Sequence, residues 1–462
     1  MRKDAGVDGD AQRISQMVWM LFMKIFADSE EDWGITIDDY RSPIPENLKW
    51  HSWAADEEGL TGDELMTFVN NELFPTLKEI DVTVSDQARI IRAVFEDTYN
   101  YMKNGTLFRQ VINEINKIDF NSSQDRHLFN DLYETILKEL QSAGSSGEYY
   151  TPRAVTQFMV DMTNPQLGER VLDPACGTGG FLTCSIAHMR QQVKTPDERD
   201  TLQKSILGVE KKPLPHLLCT TNLMLHGFDL PAVLRDNFLN KPYADWGADD
   251  RVEVVLSNPP FGGVEGDEIE TNFPAKFRTK ETADLFLALI IRLLKPNGRA
   301  AVVLPDGTLF GEGVKTRIKE ELLTKCNLHT IVRLPNGVFN PYTGIKTNLL
   351  FFEKGTVTKD IWYFEHPYPE GVKSCNKTKP IDIKEFDLEK QWWTHREENR
   401  HAWKVSAEEI AQKGFNLDIK NPYQEADDLA SPEELLSEYE ATTQSIQTIQ
   451  NNIINILSEA LK

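Results

Sequence analysis

The sequence of 462 residues, 40% of them hydrophobic and 26% charged, is long enough for about three domains and a substantial buried core. Its 72 acidic and 50 basic residues give a net charge of −22, which argues against a chain that grips DNA alone, because phosphates attract Lys and Arg. The best apolar stretch, Leu285 to Leu294, contains Arg292 and falls well short of the ~18 residues that a membrane-spanning helix needs, so no membrane association is expected.

The N-terminus and the cysteines indicate a cytoplasmic protein. Asp4, Asp8 and Asp10 precede a brief apolar patch, a pattern unlike that of a signal peptide. The five cysteines are scattered and include no CxxC pair, so neither a disulfide framework nor a cysteine-based zinc site is predicted. The histidines show no metal-ligand spacing, and no metal is expected. A reducing, cytoplasmic location follows.

The first 140 residues are predicted to be helical. Apolar residues recur at helical spacing from Ile14 to Ile25, from Leu107 to Ile115 and from Leu128 to Leu140, and strand patterns are scarce. Residues 141–147 are small, polar and glycine-containing, which is typical of a flexible boundary. We therefore predict an N-terminal helical domain over residues 1–146.

From Glu148 onward, short β-branched runs alternate with helical patterns. This alternation predicts an α/β fold, a doubly wound, mostly parallel sheet of the Rossmann-like type, over residues 147–375. Ligands of such sheets bind at the carboxyl ends of the strands. The predicted strands are Arg170–Asp173, Ile206–Glu210, Ala232–Arg235, Val252–Ser257, Ala300–Leu304, Thr330–Leu334 and Asn348–Phe352. The predicted helices include Gly180–Met189, Leu214–Leu225 and Ala283–Leu294.

Residues 376–462 form a predicted C-terminal region in which the sheet signal fades and a helical extension ends the chain. Ser431-Pro-Glu-Glu434 has the pattern of a helix start. Apolar residues then alternate at steps of four and three, which is a narrow heptad seam: Leu435, Tyr439, Thr442, Ile446, Ile449, Ile453, Ile456 and Ala460. Two interpretations stay open, a helix that packs on its own domain and a helix that binds another chain.

The strongest chemical motif is a glycine turn, Asp173-Pro-Ala-Cys-Gly-Thr-Gly-Gly180, that leads from a strand into a helix. Glycines allow close backbone approach to a ligand and present donors at a helix N-terminus. A dinucleotide fingerprint would need glycine at Leu182, and no Gly-Lys-Ser/Thr follows for a P-loop. The turn therefore favours a smaller zwitterionic group such as that of S-adenosylmethionine, with Asp173 meeting its ammonium. The alternative is an ordinary tight strand-to-helix turn.

Glu210 closes the next predicted strand. An acidic residue at this place accepts hydrogen bonds from both hydroxyls of a ribose. Because Glu often ends a strand, this assignment depends on its order after the glycine turn.

The third motif is Ser257-Asn-Pro-Pro-Phe261, which follows a predicted strand. The prolines stiffen the backbone and hold Asn258 extended. The Asn258 side-chain carbonyl and a nearby backbone carbonyl could then accept from one amino group, while Phe261 offers a ring to a planar base. An exocyclic amine is a poor nucleophile, and two acceptors on its hydrogens would localise its lone pair as the bond forms. The alternative is a proline turn that closes a strand.

At this point the sequence resembles the modification (M) subunits of type I restriction–modification systems, which are N6-adenine DNA methyltransferases. The resemblance covers nearly the whole chain. The segments that carry it are Gly6–Phe26, Gly147–Arg153, Asp173–Leu182, Asn258–Phe261, Gly298–Asp306, Leu328–Lys354, Trp392–Val405 and Asn416–Pro422.

The resemblance implies a role for each matching residue. The residues it assigns to S-adenosylmethionine are Glu148, Tyr149, Tyr150, Thr151, Pro152, Arg153, Asp173, Ala175, Gly177, Thr178, Gly179, Gly180 and Glu210. The residues it assigns to catalysis are Asn258, Pro259, Pro260 and Phe261. Asp236 stands where the family has a glycine, so either Asp236 or Asn237 is expected to reach the adenine ring of the cofactor.

The resemblance also implies partners: double-stranded DNA with a flipped-out adenine, a specificity subunit bound by two M subunits, and a nuclease subunit in the full restriction complex. The candidate DNA-binding bases are Lys276, Arg278, Lys280, Lys315, Arg317 and Lys319, which look insufficient against the net charge of −22. Two alternatives remain: methylation of an RNA base or a protein amide nitrogen, and a non-catalytic assembly subunit.

Overall fold

The structure is a computed structural model that describes residues 1–122, 129–130, 132–137, 150–340, 343–368, 374–376, 379–423, 436, 439, 442–444, 446–451 and 453. They belong to two compact units, Met1–Ile419 and Lys420–Lys462. The predicted cofactor residues Glu148 and Tyr149 lie outside the described residues, as do Leu435, Ile456 and Ala460 of the heptad pattern.

The N-terminal region is helical, as predicted, and no strand occurs among its described residues. Its core surrounds Trp19, which is fully buried and meets Phe74 and Phe108 edge-on at ring-centroid distances of 5.0 and 5.9 Å. The α-helices are Gly9–Thr36, Trp50–Trp53, Gly62–Phe68, Phe74–Lys78, Asp86–Phe95 and Gly105–Asn116. Residues 129–130 and 132–137 are also helical.

The rest of the first unit is built on one sheet, in which the described residues form nine strands. The strands are β1 Val171–Asp173, β2 Ile206–Glu210, β3 Ala232–Arg235, β4 Val252–Ser257, β5 Leu294–Pro305, β6 Cys326–Arg333, β7 Thr347–Lys354, β8 Asp360–Glu365 and β9 Ala402–Ser406. Their order across the sheet is β3-β2-β1-β4-β5-β7-β6-β8-β9. The five neighbouring strands β3, β2, β1, β4 and β5 are parallel to one another, and β7 runs antiparallel to both of its neighbours, β5 and β6.

Helices cover both faces of the sheet, which is why its central strands are apolar on both sides. In β4, Val254 packs on one face with Phe158 and Leu182, while Val255 packs on the other with Leu289. The helices are Arg153–Thr163, Gly180–Arg190, Pro196–Ser205, Pro213–Leu225, Asp267–Thr271, Thr282–Leu293, Asp306–Phe310, Val314–Lys325, Asp387–Thr394 and Ala407–Gln412. Within the described residues, no helix is long and apolar enough to cross a membrane.

The predicted α/β fold and its seven strands are confirmed, and β2, β3 and β4 have the predicted bounds. Two observed strands, β8 and β9, were not predicted. Strand β9 lies beyond Cys375, so the sheet extends further along the chain than its signal suggested. The reason is physical: β9 is an edge strand whose Lys404 and Ser406 are exposed, and so it lacks the continuous apolar run of a central strand.

Candidate active site

Three of the predicted site residues, one from each of three neighbouring strands, meet at one edge of the sheet. Strands β2, β1 and β4 are neighbours, and their carboxyl ends carry Glu210, Asp173 and Asn258. A cavity of about 420 Å³ opens there, and we call it the cofactor cavity. It is lined by Thr151, Asp173, Ala175, Cys176, Gly177, Gly180, Phe181, Glu210, Lys211, Lys212, Asn258, Pro260, Phe261, Gly262, Gly263, Val264, Glu265 and Thr282.

The glycine turn bends tightly along one wall of this cavity. Gly177 and Gly179 have φ angles of +53° and +83°, a region that L side chains rarely adopt. A Cβ at Gly179 would also lie 2.8 Å from the Sγ of Cys219. The turn therefore requires glycine, and it brings the backbone of Gly177 and Gly180 to the cavity surface.

Asp173 is 1% exposed, and its Oδ1 accepts hydrogen bonds from Ala175 N at 3.1 Å and Ser257 Oγ at 2.9 Å. Burial, with a smaller contribution from the charge of Glu210, raises the pKa of Asp173 to about 7. A cationic ligand at this carboxylate would offset the cost of ionising it. Ser257, which fixes the carboxyl, was not singled out from the sequence.

Glu210 is held by the backbone around it. Gly177 N donates to its Oε2 at 3.0 Å and Lys212 N donates to its Oε1 at 2.7 Å. Burial nonetheless raises the pKa of the carboxyl. Each carboxylate oxygen has a further lone pair, so the side chain can still accept from two ligand hydroxyls.

Asn258 presents an oriented amide. Its Nδ2 donates to Thr151 Oγ1 at 3.0 Å, whereas its Oδ1 is buried with no hydrogen-bond partner among the described residues. Pro260 and Phe261 also line the cavity, while Pro259 is buried and does not. The Phe261 ring meets Phe339 edge-on at 6.1 Å. An unpaired buried acceptor is costly unless a ligand donates to it.

The segment before the helix Arg153–Thr163 lines the cavity less than the resemblance implies. Pro152 occupies the N-cap position of this helix, and no side chain caps it. Tyr150 is buried in the N-terminal helical core rather than in the cofactor cavity, and its hydroxyl has no partner within the described part of the chain. Thr151 alone of the described residues in this segment lines the cavity.

Arg153 does not line the cofactor cavity but supports the glycine turn from behind. Its Nη1 donates to the carbonyl of Gly180 and to Thr183 Oγ1, each at 2.7 Å. Its Nε donates to Glu134 Oε2 at 2.7 Å, and its second terminal nitrogen pairs with the other oxygen of that carboxylate. The N-terminal helical region is thereby connected to the turn.

Glu134→Gln is expected to destabilise the protein by about 2 to 3 kcal/mol, because it leaves the charge of Arg153 uncompensated in a largely buried place. Side-chain exposure is 23% for Arg153 and 20% for Glu134. Chemical unfolding measures the change. Glu114→Gln is the matched control, since its pair with Lys117 is 62–71% exposed and should change stability by less than about 0.5 kcal/mol. Equal effects of the two variants would contradict this role.

Four other predicted residues, Thr178, Gly179, Asp236 and Asn237, lie beside the cavity rather than on its wall. Thr178 is buried, and its carbonyl accepts from Asn222 Nδ2 at 3.0 Å. Asp236 and Asn237 line an adjoining cavity of about 450 Å³, which shares Lys211, Val264 and Glu265 with the cofactor cavity.

Glu265 stands between the two cavities and had no sequence signal. It accepts from Asn237 Nδ2 at 3.2 Å and pairs with Lys211 at 3.5 Å. The cavity residues that the sequence analysis missed are Cys176, Phe181, Lys211, Lys212, Gly262, Gly263, Val264, Glu265 and Thr282. Lys211 and Lys212 could have been found, because they directly follow Glu210. Among the described residues no His, Cys, Asp and Glu group has metal-binding geometry.

The six basic residues considered for DNA all have partners within the chain. Lys319 is 1% exposed and donates to two backbone carbonyls. Arg278 and Arg317 also donate to carbonyls. The remaining pairs are Lys276–Glu321, Lys280–Asp267, Lys315–Glu281 and Lys315–Asp284. Lys319 is therefore withdrawn from the surface, and Lys276, Lys280 and Lys315 are paired with carboxylates, whereas Arg278 and Arg317 are exposed and keep their charge.

Comparisons with known proteins identify the class of this enzyme as a methyltransferase. The family model for the N-6 DNA methylase matches residues 124–430, and the model for the HsdM N-terminal domain matches residues 1–115. The chain is 58% identical to the type I restriction enzyme EcoEI methylase subunit of Escherichia coli, over 100% of this chain and 96% of that protein.

Two solved structures of type I restriction–modification proteins are similar to this chain in fold and in sequence. A modification subunit of a putative type I restriction enzyme from Vibrio vulnificus is 47% identical, with a TM-score of 0.82 over 92% of this chain and 94% of that one. A chain from a structure of complex assembly and conformational transition in the type I R-M system is 34% identical, with a TM-score of 0.84 over 99% and 96%.

The chain belongs to the N-6 DNA methylase family. It is a type I modification subunit that transfers a methyl group from S-adenosylmethionine to N6 of adenine in DNA. The residues present fit this donor: Asp173 suits its ammonium, Glu210 suits its ribose, and the turn at Gly177 and Gly180 has no side chain to obstruct it. The RNA, protein-amide and non-catalytic alternatives receive no support from these relatives.

Proposed function

We propose that Asn258 performs the chemical step by accepting a hydrogen bond from the amino group of a flipped-out adenine. The observation that carries this is the buried, unpartnered Oδ1 of Asn258 on the wall of the cofactor cavity. The carbonyl of Pro259 is the second proposed acceptor. Two acceptors draw the lone pair of the amino nitrogen out of the ring, which makes the nitrogen nucleophilic as the new bond forms.

When bound, S-adenosylmethionine supplies a sulfonium-activated methyl group, whose carbon passes from sulfur to nitrogen while the amino group loses one proton to solvent. No nucleophilic side chain or metal is then needed from the protein. Asp173 and Glu210 would hold the ammonium and the ribose of the donor, and Asp236 or Asn237, which line the adjoining cavity, would contact its adenine ring. The protein contributes position and electrostatics.

The target adenine must leave the DNA stack, which costs a few kcal/mol. Stacking on one aromatic ring such as Phe261 returns about 1–3 kcal/mol. Hydrogen bonds and contacts to DNA must supply the rest. Because four of the six candidate basic residues are buried or paired with carboxylates and the net charge is −22, we propose that a specificity subunit, bound by two copies of this chain, provides most of the DNA contacts. A nuclease subunit would complete the restriction complex.

Nucleoside mass spectrometry tests this assignment. DNA from cells that express this chain with its specificity subunit should contain N6-methyladenine, and DNA from cells that express the chain alone should contain little. Efficient, sequence-specific methylation by the chain alone would overturn the proposed dependence on a partner. Absence of N6-methyladenine under both conditions would overturn the proposed activity.

We also propose that the C-terminal segment binds a partner chain. Ile446, Ile449 and Ile453 are 51–56% exposed and follow the heptad spacing. Replacing all three with glutamate should abolish co-purification with the specificity subunit, because charges cannot be buried unpaired in an apolar seam. Calorimetry with S-adenosylmethionine should show unchanged affinity.

The matched control replaces Gln447 and Gln450, which lie on the same segment, with glutamate. This variant should still co-purify with the specificity subunit. Loss of folding in the isoleucine variant would instead favour a helix that packs on its own domain. Finally, we propose a cytoplasmic location, in keeping with five cysteines that are all free.

A further inference from the structure

The hydrogen bond between Thr151 and Asn258 connects two segments that are 107 positions apart in the sequence. Each partner directly precedes a proline, Pro152 or Pro259. A residue before proline is restricted to extended conformations, so both side chains start from stiff backbones and their bond costs little conformational entropy.

The contact matters because the two ends of an asparagine amide are chemically opposite. Nδ2 carries two donors and Oδ1 two acceptor lone pairs. A half-turn of the amide would present NH₂ to the amino group of the target adenine, and two donors would face each other. In the structure Nδ2 is taken by Thr151 Oγ1 at 3.0 Å, and Oδ1 stays unpaired.

We propose that Thr151 is a positioning residue: its hydroxyl accepts from Nδ2 and holds the amide of Asn258 in place while Oδ1 receives the target amino group. This inference rests on the proposed role of Asn258. Thr151 also lines the cofactor cavity, so the same side chain connects the donor-binding wall with the acceptor-binding corner. Because its hydroxyl bonds to Asn258, we expect loss of that hydroxyl to lower the rate of methyl transfer by much more than it lowers donor affinity.

Two pairs of variants isolate the hydroxyl. Thr151→Val keeps the shape of threonine without the acceptor, and Thr151→Ser differs from Thr151→Ala only by a hydroxyl. Each full-length variant is co-expressed with the specificity subunit, and tritiated methyl transfer is measured at saturating S-adenosylmethionine on genomic DNA that lacks N6-methyladenine. Calorimetry measures S-adenosylmethionine affinity, and melting temperature reports folding.

We expect kcat to fall about 10- to 100-fold in Thr151→Val and Thr151→Ala, and less than about fivefold in Thr151→Ser, with S-adenosylmethionine affinity within about threefold throughout. Equal kcat values for Thr151→Ser and Thr151→Ala would overturn the inference. So would a loss of activity that is fully explained by weaker binding of S-adenosylmethionine. If Thr151→Val does not fold, the serine and alanine pair decides. A wild-type complex that forms no N6-methyladenine would refute the proposed function instead.

Discussion

Replacing Asn258 with alanine should lower the rate of methyl transfer by about 10³-fold or more and leave S-adenosylmethionine affinity within about threefold. The loss of one preorganised hydrogen-bonding group in an active site typically costs 10²- to 10³-fold. An effect at or above the upper end of this range is expected because Asn258 Oδ1 is buried and has no other hydrogen-bond partner among the described residues. Single-turnover methylation of DNA by the complex measures the rate.

A second variant separates chemistry from packing. Asn258→Gln keeps the amide but moves it by one methylene, and we expect it to lose nearly as much activity as the alanine variant. The cofactor affinity of both should match the wild type, since Asp173 and Glu210 are untouched. If an Asn258→Ala complex methylates DNA within tenfold of the wild-type rate, the proposal that Asn258 accepts a hydrogen bond from the target amino group is wrong.

The central sheet was predictable because its strands are short apolar runs that end at chemically distinctive residues. Strands β2, β3 and β4 have the predicted bounds, and the ends of β1, β2 and β4 place Asp173, Glu210 and Asn258 around one cavity. Strand β9 was missed because an edge strand with exposed polar residues has no such run.

The site was predictable where a residue's neighbours in the sequence define its role, and not where its neighbours in space do. Arg153 was assigned to the cofactor through its motif, yet its guanidinium contacts Glu134 and the carbonyl of Gly180. Ser257 donates to Asp173 between neighbouring strand ends, and Asn258 donates to Thr151 in the segment before the helix Arg153–Thr163; only the folded chain creates these contacts.

The net charge of the chain, −22, predicted a need for a basic partner, but it did not predict where the positive side chains lie. The structure strengthens that argument, because Lys315 pairs with the buried carboxylate of Asp284 and Lys319 donates to backbone carbonyls. Neither ammonium group is directed at the surface where DNA would bind. A count of lysines near a motif therefore overestimates the positive charge that DNA meets.

Cofactor affinity should fall as the pH falls below 7, by about tenfold between pH 8 and pH 6. The pKa of Asp173 is raised to about 7 by burial, so the free protein carries a protonated carboxyl at pH 6, and that form does not attract an ammonium. Calorimetry with S-adenosylmethionine across this range tests the dependence. Asp161→Asn is the control, because the pKa of Asp161 is about 2 and its removal should leave the dependence unchanged.

Asp173→Asn should abolish measurable cofactor binding and yet stabilise the protein without cofactor at pH 8. A raised pKa in the folded state means that stability is fully present below the unfolded pKa, near 3.8, and is lost as the pH rises through about 7. The shift of about 3 units corresponds to roughly 3 to 4 kcal/mol at pH 8. Chemical unfolding at pH 4 and pH 8 should show a gain only at the higher pH. If Asp173→Asn instead lowers stability at pH 8, the neighbours of the Asp173 carboxylate already stabilise its charge, and no cationic ligand is needed to do so.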